Sequence, residues 1–284
     1  MAFNRTIWTL WLQGFDVAPT PVPLCLASWR FHNPDWTIHA LDARSLGDWI
    51  DIRAEIDPDR PDVTPQKVSN AARLALLRKY GGVWTDPTVF CRHPLDSWLP
   101  AHSKSGFYAF RGPFSDRLID NWFIAAEPDN PLLVAMYEGY RGLWRRHRRF
   151  RNQNNEFGRW AVTQLEKVLG KSARRSALWT NPLLLDVIGA YPYAIFTYLA
   201  TAAMLRDPRL RQIWEDSDPI DWRVVLPFVP LPRTEEGIKA ALAIVDAGDF
   251  PVAKLTHHRD YYSTTFWPPI LERMEATLSA RPRG

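Results

Sequence analysis

The first apolar cluster of the chain spans residues 6–12 around Trp8 and Trp11, and Gly14 closes it. A short run of this kind bounded by a turn residue predicts a buried strand. Pro19, Pro21 and Pro23 then precede residues 24–32. Proline is tolerated only at or before the first helical turn, so this stretch predicts a helix entered through prolines and stopped by Asn33-Pro34. Residues 36–41 predict a second strand, residues 45–50 a short helix, and residues 57–65 a loop rich in Pro and Asp. The order strand, helix, strand opens an α/β layout.

The clearest periodicity lies in residues 66–80. Val68, Ala71, Ala72, Ala75, Leu76 and Tyr80 recur near every 3.6 residues, and Gly81 stands where a helix C-cap belongs. A strand is predicted next, over residues 83–90, with Asp86 in its middle or at its end, where open α/β sheets present ligand-binding groups. Residues 105–111 and 121–126 predict further strands, and residues 131–147, 195–205 and 235–247 predict helices. There is no internal repeat and no Gly/Ser linker, so residues 1–284 predict one α/β domain with a helical C-terminal addition.

Two segments are tested for targeting or membrane insertion. The apolar start is too short for a signal peptide. Residues 187–205 carry no charge and have the length of a membrane span, but Gly189, Pro192 and several Tyr and Thr residues interrupt them. A buried helix with its lead-in is the expectation.

Composition narrows the class further. Hydrophobic residues make up 46% and charged residues 23%, which excludes disordered, collagen-like and coiled-coil chains. The net charge of +4 is mildly basic and does not suggest nucleic acid as a partner. Cys25 and Cys91 form no metal-binding spacing and no disulfide framework, so a reducing, cytoplasmic location is expected. The 14 tryptophans offer stacking faces for sugars or bases, although core packing is their commoner use.

The chemistry concentrates between Ser69 and Phe90: Ser69-Asn70-Ala71-Ala72-Arg73, then Leu76 through Tyr80-Gly81-Gly82-Val83-Trp84-Thr85-Asp86-Pro87-Thr88. This block resembles the S-D-x-x-R, L-x-x-Y-G-G-x-x-x-D-x-[DT] signature of sugar-nucleotide glycosyltransferases of the DXD sugar-binding and capsular polysaccharide synthesis type. Flanking segments resemble them too. Ile7-Trp8 to Gly14, with Pro21, Cys25 and Ser28-Trp29, resembles the opening strand and helix, and Lys254-Leu255-Thr256-His257 the closing strand.

The resemblance implies a GT-A type nucleotide-binding mixed sheet flanked by helices. The nucleotide-sugar part would cover residues 1 to about 130, and a more helical acceptor part the remainder. It implies transfer of a hexosyl-type sugar from a nucleotide-diphosphate donor, a UDP-sugar being favoured, to a hydroxyl of a saccharide or small molecule, with retained configuration. Asp86 and Arg73 would be catalytic. Trp11, Gln13, Asn70, Arg73, Gly82, Asp86 and Lys254 would bind the donor, and Asp86, Thr88 and His257 would hold Mn²⁺ or Mg²⁺.

Physical reasons stand beside these roles. A leaving diphosphate carries charge that a metal ion held by a strand-end carboxylate can neutralise. Arg73 lies two helical turns before Tyr80 and can aim a guanidinium at phosphate, or else form a surface salt bridge. Asn70 stands where the resembled signature has aspartate, keeping an acceptor but losing the charge, and Thr88 likewise replaces a second carboxylate. Gly81 and Gly82 can end a helix or let backbone approach a ligand. Trp11 can stack on a base with Gln13 at its edge, or simply pack in the core. His257 competes with adjacent His258 and with an ordinary surface role.

Arg145, Arg146, Arg148, Arg149 and Arg151 form a basic run at the end of a predicted helix. It reads as a solvated helix end, as a dock for an anionic membrane surface or acidic saccharide, or, last, as a nucleic-acid contact without a recognised motif. The rival to the enzyme is a non-catalytic protein of the same fold that binds a nucleotide sugar or a polyanion through Arg73 and this run.

Overall fold

The computed structural model describes residues 3–146, 156–256 and 265–279. Thr6–Leu10 form strand β1, and all five of its side chains are buried because both faces of the sheet around it are covered. Helix α1, Val22–His32, begins two residues earlier than the sequence predicts, since Pro23 falls in its first turn. Strand β2, Thr37–Leu41, then pairs parallel to β1. A single 3-10 turn at Ser45–Asp48 and the short helix α2, Ile52–Glu55, lead to helix α3, Pro65–Tyr80.

Strand β3, Gly82–Thr85, lies parallel to β1 on the side opposite β2. The predicted strand over residues 83–90 is in fact two. The chain turns at Asp86-Pro87-Thr88 and resumes as β4, Val89–Cys91, in a separate two-stranded sheet. Pro87 explains the break, since it has no N–H to give a ladder. Asp86 therefore stands just past the C-terminal end of β3.

Helix α4, Leu95–His102, and strands β5, Phe107–Ala109, and β6, Phe123–Ala126, follow, the strands being shorter than the predicted segments. Both are antiparallel additions, giving a mixed five-stranded sheet of order β2-β1-β3-β6-β5. Helix α5, Pro131–Arg146, carries the start of the basic run, while His147 and Arg148, Arg149 and Arg151 lie outside the described residues.

The C-terminal half is helical, as expected: α6, Glu156–Leu169, α7, Ala173–Ser176, α8, Ile195–Arg206, α9, Pro208–Glu215, α10, Trp222–Val225, and α11, Glu235–Ala247. Strand β7, Val252–Lys254, comes two residues earlier than the expected closing strand and pairs antiparallel to β4. A last helix covers Trp267–Ser279.

On one face of the main sheet, Trp8, Trp84, Ile124 and Ala126 pack with Leu76, Leu77, Leu133 and Phe196 from α3, α5 and α8. On the other, Ile7, Val83, Phe123 and Ala125 meet Trp29 of α1 and Trp98 of α4. Beyond them, α11 and the last helix close over Cys25, Phe90 and Ala253. Trp8, Trp84, Trp179, Trp214 and Trp267 are fully buried, so the tryptophan content serves the core first. Truncating one such side chain to alanine costs about 3–5 kcal/mol. Cys25 and Cys91 are buried free thiols. Among the described residues no helix is long and apolar enough to cross a membrane.

Candidate active site

The connection after β1 runs to β2 on one side and the chain then returns to β3 on the other, so the crevice between the C-terminal ends of β1 and β3 is the sheet's switch point. Asp86 occupies that edge. Its backbone N–H donates to the Trp122 carbonyl at 2.7 Å, tying the turn to the residue that precedes β6. The Asp86 carboxylate is held from three directions. Arg73 Nη2 donates to Oδ1 at 2.7 Å, Trp84 Nε1 donates to the same oxygen at 3.1 Å, and Lys254 Nζ donates to Oδ2 at 3.0 Å.

Arg73 reaches this point from α3, where Asn70, three residues earlier, lies on the same face. Its Nη1 donates to Asn70 Oδ1 at 3.0 Å, and Asn121 Nδ2 donates to that oxygen at 3.2 Å. The guanidinium lies 5.0 Å from the Trp84 ring centroid and 5.4 Å from that of Phe196, which adds cation–π attraction to the ion pair. The Arg73 side chain is only 3% exposed, so the surface salt bridge considered for it is corrected to a buried, aromatic-walled one.

Lys254, the last residue of β7, has its ammonium shared between Asp86 and Thr88 Oγ1, the latter at 2.8 Å. Backbone pairing fixes it there: Lys254 faces Val89 across the ladder, and Leu255 N–H donates to the Thr88 carbonyl at 2.8 Å. The Lys254 and Asp86 side chains are 22% and 23% exposed, so the cluster opens to solvent on their side while Arg73 closes it from within.

Burial by itself would raise the Asp86 carboxyl, but Lys254 and Arg73 outweigh it and hold the group below its ordinary value. Burial lowers Arg73, and the Asp86 charge opposes that; a guanidinium stays charged regardless. One carboxylate between two cations leaves a unit of positive charge in excess, a setting suited to an anionic ligand.

The other expected residues fall in three places. Trp11 and Gln13 follow β1 on the same sheet edge as Asp86; Trp11 is half-buried, its N–H donating to the Leu41 carbonyl at 2.9 Å, and Gln13 is exposed. Gly82 stands apart from the cluster. It begins β3 at the end remote from Asp86, with φ 95°, and a Cβ there would lie 2.5 Å from the Thr6 carbonyl oxygen. Close backbone packing is a sufficient reason for this glycine. Gly81 caps α3, its N–H donating to the Leu77 carbonyl at 2.8 Å. His257 lies outside the described residues, and Arg145 and Arg146 are exposed at the end of α5.

Asn121 and Phe196 belong to the site and escaped the sequence reading. Asn121 was visible only as the first residue of a predicted strand, and Phe196 only as an apolar position of a predicted helix.

A divalent ion fits these residues poorly. Of the three expected ligands, the Asp86 and Thr88 oxygens both hold the Lys254 ammonium, and among the described residues no group of three His, Cys, Asp or Glu side chains is placed to hold a metal.

A profile of the capsular polysaccharide synthesis protein family matches residues 2–152. The chain belongs to that family. The capsular polysaccharide synthesis match takes in β1, α3, β3, Asp86 and Asn121 but stops far short of Lys254. Two curated relatives are similar over part of their length. The O-glycosyltransferase braB of Annulohypoxylon truncatum is 28% identical over 162 residues, covering 50% of this chain and 38% of the relative. The glycosyltransferase afumC of Aspergillus fumigatus is 27% identical over 160 residues, covering 50% of this chain and 41% of the relative. The chain thus spans about two fifths of the length of the curated relatives it matches.

Proposed function

We propose that this family member is a retaining glycosyltransferase that moves a sugar, a hexose in the first instance, from a nucleotide-diphosphate donor to a hydroxyl of a saccharide or small molecule. A UDP-sugar is the favoured donor. The observation that carries the reading is the cluster of Arg73, Lys254 and Asp86 at the switch point of an α/β sheet, whose excess positive charge suits a diphosphate. In the transfer, the bond from the anomeric carbon to the phosphate oxygen breaks and its electron pair leaves with the diphosphate. The acceptor oxygen bonds the carbon and passes its proton to the departing phosphate oxygen. Charge growing on the leaving oxygens is what fixed cations stabilise best. Arg73 and Lys254 are those cations, and Asp86 sets their positions.

The glycosyltransferase names of the two relatives support the enzyme reading. The free, buried thiols support a reducing compartment. A peripheral contact with an anionic membrane surface through Arg145, Arg146, Arg148, Arg149 and Arg151 rests on sequence charge alone. Asn70, in place of aspartate, favours a second reading, a nucleotide-sugar binder without turnover. A hydrolysis and transfer panel of UDP-, GDP- and dTDP-sugars separates the two. The enzyme turns over one donor and the Arg73→Met variant does not; binding without turnover of any donor makes the protein a binder.

A further inference from the structure

We propose that Lys254 is the resident cation of the donor site and that nucleotide-diphosphate binding here needs no divalent metal. The inference rests on the sugar-nucleotide reading above and concerns what meets the diphosphate. A Mg²⁺ or similar ion between Asp86 and Thr88 would stand about 2.1 Å from their oxygens. The Lys254 ammonium nitrogen, 3.0 Å from Asp86 Oδ2 and 2.8 Å from Thr88 Oγ1, fills that position, and the two cations cannot share it.

The lysine is not a surface side chain that drifted onto an acid. Its backbone is locked in the β4–β7 ladder, with the Thr88 carbonyl accepting from the next residue, so the pairing that begins just after Thr88 also places the ammonium against its hydroxyl. Charge argues the same way. With Thr88 in place of a second carboxylate, Asp86 is the one acid paired with Arg73 and Lys254, and the two cations together exceed its charge. A dication added there would face two fixed positive charges across a few ångströms. The hydroxyl, by contrast, serves an ammonium well, since an uncharged acceptor completes its hydrogen bonding without cancelling its charge. With two of its three N–H groups given to Asp86 and Thr88, the partly exposed Lys254 ammonium has the third to offer a phosphate oxygen.

Calorimetric titration of wild type with UDP, GDP and dTDP, each in EDTA and each with Mn²⁺, tests this, with Mn²⁺ binding to the protein alone followed by electron paramagnetic resonance. The expected result is that the diphosphate bound has the same affinity in both conditions to within about twofold, and that Mn²⁺ stays free. Lys254→Ala should lose about tenfold or more of the affinity in EDTA. Lys254→Gln, which keeps a hydrogen-bond donor and drops the charge, should lose as much, and it stands in if the alanine variant does not fold. Binding by wild type that EDTA abolishes and Mn²⁺ restores would overturn the proposal while leaving the sugar-nucleotide reading intact. Undiminished binding by Lys254→Ala in EDTA would overturn it too. Failure of every diphosphate in both conditions would remove the proposal together with the reading beneath it.

Discussion

Arg73 Nη2 and Asp86 Oδ1 meet at 2.7 Å, joining the middle of α3 to the end of β3 through a guanidinium that is almost fully buried. Breaking such a pair strands a charge, so Asp86→Asn should cost about 3–5 kcal/mol of stability. Removing the stranded cation as well, in the Arg73→Met, Asp86→Asn double variant, should recover part of the loss, with a coupling of about 1–3 kcal/mol in urea unfolding. Strictly additive losses would show that the two groups do not form an energetic unit. Because Asp86 is held below its ordinary value, its contribution is present above pH 3.8 and fades as pH falls through the lower native value.

Asn70 receives hydrogen bonds from both Arg73 and Asn121. Asn70→Asp replaces a neutral acceptor with a charged one against a buried guanidinium, and hydrogen bonds to charged groups contribute about 1 kcal/mol more than neutral ones. The variant should unfold at higher temperature and change its preference among donor sugars. Unchanged preference with raised stability would confine Asn70 to holding Arg73.

Gly82 tests whether a glycine of the motif serves the fold or the ligand. A methyl group at φ 95° that would lie 2.5 Å from the Thr6 oxygen should make Gly82→Ala destabilising by about 2–4 kcal/mol. The fraction that folds should bind donor as wild type does. Normal stability with lost binding would return Gly82 to the site.

Lys67 supplies a pH signature away from the site. Its ammonium, donating to the Asp62 carbonyl at 2.6 Å and lying 4.3 Å from the Tyr191 ring centroid, is pushed down to about 8 chiefly by burial. Between pH 8 and 10.5 the unfolded chain still holds the proton that the native side chain has released, so stability rises with pH across that window. With allowance for residual solvent access, the gain is about 1 kcal/mol per pH unit. Lys67→Met should abolish it in unfolding measured from pH 7 to 10; an unchanged slope would assign the rise to other groups.

How far the sequence reached can be judged at particular residues. The helix before Tyr80 and its glycine cap were legible because periodicity and capping are local. Asp86 was legible as a strand-end carboxylate, but the turn it occupies was masked by the apolar residues on either side of Pro87, which read as one strand. Arg73 was legible as a guanidinium able to meet phosphate, but its burial was not, since nothing local announces that Trp84 and Phe196 will wall it in. The pairing of Lys254 with Asp86 spans 168 residues and depends on the β4–β7 register. Its closing-strand position was foreseen, whereas its contact with the two oxygens expected to ligate metal was not. Asn121 stayed hidden for a similar reason, being a polar residue whose role appears only when β6 comes to lie beside β3.

The most direct measurement is calorimetric comparison of UDP, GDP and dTDP with their parent nucleosides, on wild type and on Arg73→Met verified as folded. A sugar-nucleotide site built on Arg73, Lys254 and Asp86 predicts that one diphosphate binds at least about tenfold tighter than its nucleoside, and that most of this gain disappears in the variant. Equal binding of diphosphate and nucleoside, or a gain that survives the loss of Arg73, would contradict it.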